Sequence, residues 1–431
     1  MGRGGLFYAP HDIGLALLFL PVSWFLHLGL IGPYLATFFY TLVNPFFGAG
    51  IVLVSFLFAR ELTENVRVGL ATASTAAVCT IIWPYTHASF DVTSTAFFIL
   101  ASTYALWRAE ERLSTWYAVL SGALIAAAVL VRVDSVIAVV VEAGWLTYLL
   151  FFRRHSSRAW SMVCWSVPVV CAGVITALYN VARFGSLFND GHKNDPQVAA
   201  TVPFWHGALG QLVSPGKGIV FFAPALLIAL FGWRKLFRRS STLFWFMVIV
   251  PCAYLCFEGR FTNWSGAEAW GPRFFVPAAP LVLLPISFVF SRWRRYPWAL
   301  RGAFVVLLLV SAAVQVVGAT TNNVAVDRLT GGDAQKTAWH SSQIWTSWQA
   351  LNRGLHDVQP YPSTEQGGVV APPVPRFDLW WTGGYPQVNR SSWAKWLVIG
   401  LLLLGLACGS LYCVLVVRRR PPRDGPLLTS F

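Results

Sequence analysis

Charged side chains are scarce in this chain. Only 12% of its 431 residues are Asp, Glu, Lys or Arg, about half the share of a soluble domain, which excludes a water-soluble surface wrapped round a single core. Acids are the scarcest, 18 against 32 Lys and Arg, leaving a formal charge of +14. Paired cysteines are lacking too. Cys79, Cys164, Cys171, Cys252, Cys256, Cys408 and Cys413 all fall inside apolar runs, without the paired spacing and polar surroundings of a metal or redox site. They read as small apolar side chains. There is no internal repeat, and no small-residue cleavage site follows the opening MGRGGLFYAPHDIGLALLFLPV, so no cleaved signal peptide is expected.

Hydrophobic residues make up 56% of the chain and are spread from end to end. A spanning helix needs about 20 mostly apolar residues. Twelve runs qualify, near 13–31, 36–59, 68–86, 92–107, 116–131, 135–152, 160–180, 219–233, 242–257, 276–291, 302–320 and 394–417. The expected fold is therefore all-α, a polytopic membrane bundle of about 12 transmembrane helices. It divides into a transmembrane domain over 1–320, a long external loop or small subdomain over 321–393, and a final helix with a basic tail over 394–431.

The charge supports this layout. RELTENVR, WRAEERLS, RRHSSR, WRKLFRRS, SRWRRYPWALR and the tail RRRPPR fall on one side of the alternating segments, and with Arg3 that side holds 20 of the 32 Lys and Arg. Excess Lys and Arg mark cytoplasmic loops, so both termini are expected in the cytoplasm of a cell inner (plasma) membrane. Topology accounts for the basic residues, and no nucleic-acid partner is implied. Within 334–357, Trp339, Ile344, Trp348 and Leu351 recur at helical intervals, predicting a helix on the interface or over the bundle mouth.

Charges at the membrane edge are costly and are candidates for function. On the external side these are His87 and Asp91 in PYTHASFDVTS, Arg132 and Asp134 in VRVDS, Arg183 in YNVARFGSLFNDG (with the polar Asn180 one turn before it), Lys217 in SPGKG, and Glu258, Arg260, Glu268 and Arg273 in FEGRFTNWSGAEAWGPRF. Lys217 sits in a tight turn before a helix, which suits an anion such as phosphate or equally a snorkelling lysine. It is not a Walker A loop, since GxxxxGK[ST] is absent, so nucleotide hydrolysis is not implied. Arg273 needs an anionic partner, either Glu268 or a lipid-linked phosphate. Trp264 and Trp270 could stack on a sugar or anchor the interface. Arg132 with Asp134 reads as a local ion pair. Four cations, Arg132, Arg183, Lys217 and Arg273, on one side of an apolar bundle suggest a shared anion.

In order, YNVARFGSLFNDG, SPGKGIVFFAPALL and WSGAEAWGPRFFVPAAPLVLLP resemble bacterial polyprenyl-phosphate-dependent glycosyltransferases of the C-type membrane fold, relatives of protein mannosyltransferases and aminoarabinose transferases. The resemblance covers most of 5–290, and the motifs are more specific together than singly. It implies a polyprenyl-phosphate sugar donor entering from the membrane lipid, and an acceptor hydroxyl, on a glycan, lipid or protein, arriving externally. GLFYAPHDIGLALLFLP looks like the approach to the family's second helix, so the first helix and the acidic loop that carries the family's catalytic carboxylate are expected to be missing. Asp12 is then the family-guided base, although parity puts it on the cytoplasmic side, and Asp91 is the alternative. His87, Arg132, Asn180, Arg183, Lys217, Glu268, Trp270 and Arg273 are the expected substrate-binding residues. No cofactor is indicated; a divalent metal is compatible with the chemistry, but nothing marks its ligands.

Two other readings stand beside this one. Twelve helices also suit a secondary transporter, with Pro168 and Pro251 as helix breaks, although paired halves and midplane charges are not evident. A non-catalytic or truncated relative that binds lipid-linked sugar is the other.

Overall fold

The computed structural model describes residues 11–356 except 89, 153–156, 193–197, 268, 324–325, 327–338 and 340–341, together with 365–366 and 369–370. The expected last helix and tail lie outside the described residues. The helices are α1 (Ile13–His27), α2 (Pro33–Thr41), α3 (Val43–Thr63), α4 (Val66–Val78), α5 (Ile82–Thr86), α6 (Val92–Arg112), α7 (Thr115–Val131), α8 (Val136–Phe152) and α9 (Ser157–Phe184). They continue with α10 (Phe204–Val213), α11 (Ile219–Phe222), α12 (Ala225–Ala229), α13 (Trp233–Arg239), α14 (Ser241–Glu258), α15 (Ala279–Leu283), α16 (Ile286–Ser291), α17 (Trp298–Thr320) and α18 (Gln343–His356). The described residues add one two-stranded ladder, Glu365–Gln366 with Val369–Val370.

The fold is a multi-pass membrane bundle. Five described helical segments are long and apolar enough to cross, and four shorter apolar helices accompany them. Their outer faces stay greasy: Val140, Val170, Leu178 and Leu309 are each more than 60% exposed, a surface that only lipid would solvate well. The described basic loops converge on one end. There Arg108 bonds Glu61, and Arg239 Nη1 lies 3.0 Å from Glu111. Asn65 opens α4 by accepting the Arg67 N–H at 2.9 Å, and Ser240 caps α14 on the Leu243 N–H.

Two crossings are broken, which the apolar runs did not reveal. Pro224 divides 219–239 and Pro285 divides 273–291. Proline removes a backbone bond, and inside a membrane the freed groups need partners. Helix α17 supplies them for the first break: Ser311 Oγ accepts the Ala225 N–H at 2.9 Å, and the Gln315 amide donates to the Phe222 carbonyl.

The first apolar run does not cross in the expected way. Asp12 accepts the Val133 N–H at 2.9 Å, and Gly14 packs so closely on Leu130 and Val131 that a Cβ there would meet backbone at 2.4 Å. Further along α1, Ser23 bonds the Tyr40 hydroxyl at 2.9 Å. Tyr40 stands one turn before Asn44, whose amide donates to the carbonyls of Ala88 and Phe90. Both ends of α1 are thus tied to the end opposite the basic loops. Parity placed Asp12 on the basic side because it counted 13–31 as a full crossing; run length reports apolarity but not inclination. The chain enters the described bundle at the other end.

A buried acid lies midway in the bundle, against the expectation that charges keep to one face. Glu142 of α8 is fully buried and accepts from Ser102 Oγ at 2.7 Å, Trp165 Nε1 at 3.0 Å and Ser121 Oγ at 3.2 Å. These join α6, α7, α8 and α9. Glu142→Ala leaves the Trp165 N–H without its acceptor, while Ser102 and Ser121 keep each other at 3.0 Å, and is expected to cost about 1–3 kcal/mol, read as a lowered melting temperature in detergent. Glu142→Gln keeps the shape and most bonds. Equal melting of the two variants would show that the network does not hold the helices.

Candidate active site

The site forms where α5–α6, α7–α8, α14 and the 259–275 segment meet, at the end opposite the basic loops. Arg132 leaves the end of α7 and spreads its guanidinium over three carboxylates. Nε lies 2.6 Å from Asp134, Nη2 3.0 Å from Glu258 and Nη1 3.4 Å from Asp91. The rigid fork of Arg fits such multiple contacts. Burial alone would pull its pKa down, but the three acids outweigh that and hold it well above its ordinary value.

Asp12 joins this cluster from α1. Burial raises its carboxyl from 3.8 to about 6; the Val133 N–H opposes the rise, and the charges of Asp91, Asp134 and Asp190 add to it. An acid in that range titrates near neutral pH, as a general base should.

Arg273 begins the short turn Arg273–Phe275, just after the Gly271–Pro272 bend. Its guanidinium carbon lies 5.1 Å from the Phe90 ring and 4.7 Å from the Phe274 ring, while Arg132 approaches Phe274 at 5.4 Å. Phe274 therefore contacts both cations. Arg273 makes no ion pair among the described residues, and its Nε is buried without a hydrogen bond. Burial and the positive charge of Arg132 pull it below the ordinary arginine value. A cation so placed favours an anionic ligand. Glu268, its expected protein partner, lies outside the described residues.

The other expected binding residues do not converge on Arg273. Lys217 is buried, and its Nζ donates to the carbonyls of Ala269 at 2.6 Å and Ala267 at 2.7 Å and to Gln343 Oε1 at 3.2 Å. The reason is the backbone of the 259–275 segment: Gly266, Ala267 and Gly271 all have positive φ, and the turns they form present carbonyls that a cation can satisfy. Lys217 braces the segment that carries Arg273. Gln343 also accepts the Gly271 N–H at 2.9 Å, which fastens α18 to the same segment.

Arg183 donates to the carbonyl of His11 at 3.0 Å and to Asn180 Oδ1 at 3.1 Å, with its guanidinium 3.8 Å from the Tyr179 ring. The pair thus secures the residue before Asp12. Trp270 is buried, its ring edge-on to Phe222 at 4.9 Å and its carbonyl accepting from Tyr85 at 2.8 Å; it fills the core and offers no open face to a sugar. His87 caps the end of α5 and is half-buried.

Helix α18 starts at Gln343, later than the 334–357 pattern suggested. Ile344 and Leu351 pack on the core, whereas Trp345 and Trp348 are about half exposed. With Phe221, Val310, Val314 and Trp339 these tryptophans line an apolar cavity of about 500 Å³ between α17 and α18. Among the described residues no group of three His, Cys, Asp or Glu side chains is placed to hold a metal.

Comparison with known proteins adds a structural likeness. No family model matches, and no curated protein matches. The chain is similar to a solved membrane protein. That protein is ArnT from Cupriavidus metallidurans, in a crystal structure bound to undecaprenyl phosphate, with a TM-score of 0.43 and 12% identity over 76% of this chain and 69% of that one.

Proposed function

We propose that the protein is a membrane glycosyltransferase that moves a sugar from a polyprenyl-phosphate donor to an acceptor hydroxyl at the end opposite the basic loops, the external side of a plasma membrane. One observation carries the reading: an acid cluster that includes a raised-pKa carboxyl meets a cation with no ion-pair partner among the described residues. The three motif strings that resemble the family support it, and the apolar cavity beside α18 has the character an isoprenoid chain requires.

In this reading the bond between the sugar's anomeric carbon and the phosphate oxygen breaks, its electron pair leaving with the phosphate, while the acceptor oxygen bonds the same carbon. The departing phosphate gains one negative charge, and Arg273 stabilises it. Asp12 takes the acceptor proton. Asp91, 3.4 Å from Arg132 Nη1, is suited to binding sugar hydroxyls. Arg183 and Lys217 are positioning residues, one for the segment that leads to Asp12 and the other for the Arg273 segment.

The base assignment predicts a pH profile. Because the folded value of Asp12 lies above its ordinary 3.8, the neutral form is favoured in the fold, and any stability it contributes declines as pH rises through about 6. The ionised base accumulates over the same interval. Transfer should therefore rise through about pH 6 and then level off, Asp12→Asn should abolish it, and Asp91→Asn should keep the profile at reduced rate. A profile lost on Asp91→Asn and kept on Asp12→Asn would reverse the assignment.

A further inference from the structure

A charged cavity lies at the basic end, far along the helices from Asp12 and Arg273. The turn Trp293–Arg295 and the end of α16 lie against the first turns of α4, bounding an open cavity of about 470 Å³ whose arginines are exposed. Arg67, Arg292, Arg294 and Arg295 line it, together with the aromatic rings of Phe290 and Trp293, and no Asp or Glu does. Other arginines at this end have found acids: Arg108 pairs with Glu61, and Arg239 with Glu111. None of the four cavity arginines has a carboxylate partner among the described residues.

We propose that this cavity is a binding site for the phosphate headgroup of an anionic phospholipid. Cationic pockets between membrane helices on the basic side take such headgroups. The helix start does not carry the argument, since Asn65 already accepts the Arg67 and Val68 N–H groups. What favours a lipid over free phosphate is the apolar part of the lining: Val68, Ala71 and Phe290 extend the cavity along α4 and α16, toward the depth where acyl chains begin. A free anion would leave that surface uncovered.

The test uses the purified full chain in detergent, mixed with phosphatidylglycerol, cardiolipin or phosphatidylcholine, with retained lipid counted by native mass spectrometry. The wild type is expected to retain the two anionic lipids and release phosphatidylcholine, and millimolar inorganic phosphate should not displace them. Replacing Arg292, Arg294 and Arg295 together by Gln should lower retention at least about tenfold. Replacing Arg234, Lys235 and Arg238 by Gln removes the same charge from α13, outside the cavity, and should leave retention unchanged. Should the first triple variant melt early, the single Arg294→Gln and Arg295→Gln variants give the same reading with smaller losses. Equal loss in the two triple variants would overturn the site in favour of a diffuse surface charge. Equal retention of phosphatidylcholine, or displacement by inorganic phosphate, would overturn the lipid headgroup.

Discussion

Arg273→Ala is expected to abolish measurable sugar transfer while leaving the protein folded. The guanidinium is proposed to meet charge that develops only as the phosphate departs. Removing one such preorganised donor typically costs 10²–10³ in rate, about 3–4 kcal/mol. Because Arg273 makes no ion pair among the described residues and rests on Phe90 and Phe274, its removal strands no described carboxylate. The melting temperature should hold. Arg273→Lys keeps the charge but loses the planar fork, and should recover part of the rate. The comparison to make is rate against melting temperature for the three proteins; a full rate in Arg273→Ala would remove the phosphate assignment.

Arg132→Ala should behave in the opposite way, failing through stability. Its guanidinium lies against Asp134, Glu258 and Asp91, and both Asp134 and Glu258 are buried. Removing the cation leaves carboxylates together in a dry place, and breaking a buried pair costs about 3–5 kcal/mol. Low yield and early melting in detergent are the expected results. A second substitution separates this from general damage: Glu258→Gln on the Arg132→Ala background removes one stranded charge and should restore part of the melting temperature. Absence of any rescue would mean that Arg132 acts through packing alone.

These two arginines also show how far the amino-acid sequence could be read. Apolar run length located α6, α7, α8, α14 and α17 to within a few residues, since a spanning helix must bury its backbone polar groups within itself. It could not show how α1 lies, because a run of 15 apolar residues looks the same along the bundle rim as across it. Nor could it show the break at Pro224, whose cost is met by Ser311 and Gln315 from α17. Glu142 in VVVEAGW was passed over, although a lone carboxylate inside an apolar run is itself a signal; its partners Ser102, Ser121 and Trp165 come from three other helices.

At the site, Arg132 with Asp134 was legible because the two are neighbours in sequence. Glu258 was legible as a charge at the end of an apolar helix, but its partner lies 126 residues away. Lys217 shows the limit most clearly. Its Pro-Gly setting suits an anion, yet the positive-φ backbone of Gly266 and Ala267 turns the carbonyls of Ala267 and Ala269 toward it, and Gln343 Oε1 accepts a third bond. Local spacing identifies a cation at a turn; only the tertiary fold decides what that cation faces.

The proposed transfer of sugar from a lipid-linked phosphate by Arg273 and the Asp12 cluster can be measured with radiolabelled polyprenyl-phosphate sugars and the purified chain in liposomes, alongside uptake of label in sealed vesicles. Labelled acceptor is expected from the wild type and none from Arg273→Ala or Asp12→Asn, with no vesicle uptake. Donor binding without turnover in a well-folded wild-type chain, or uptake without transfer, would contradict it.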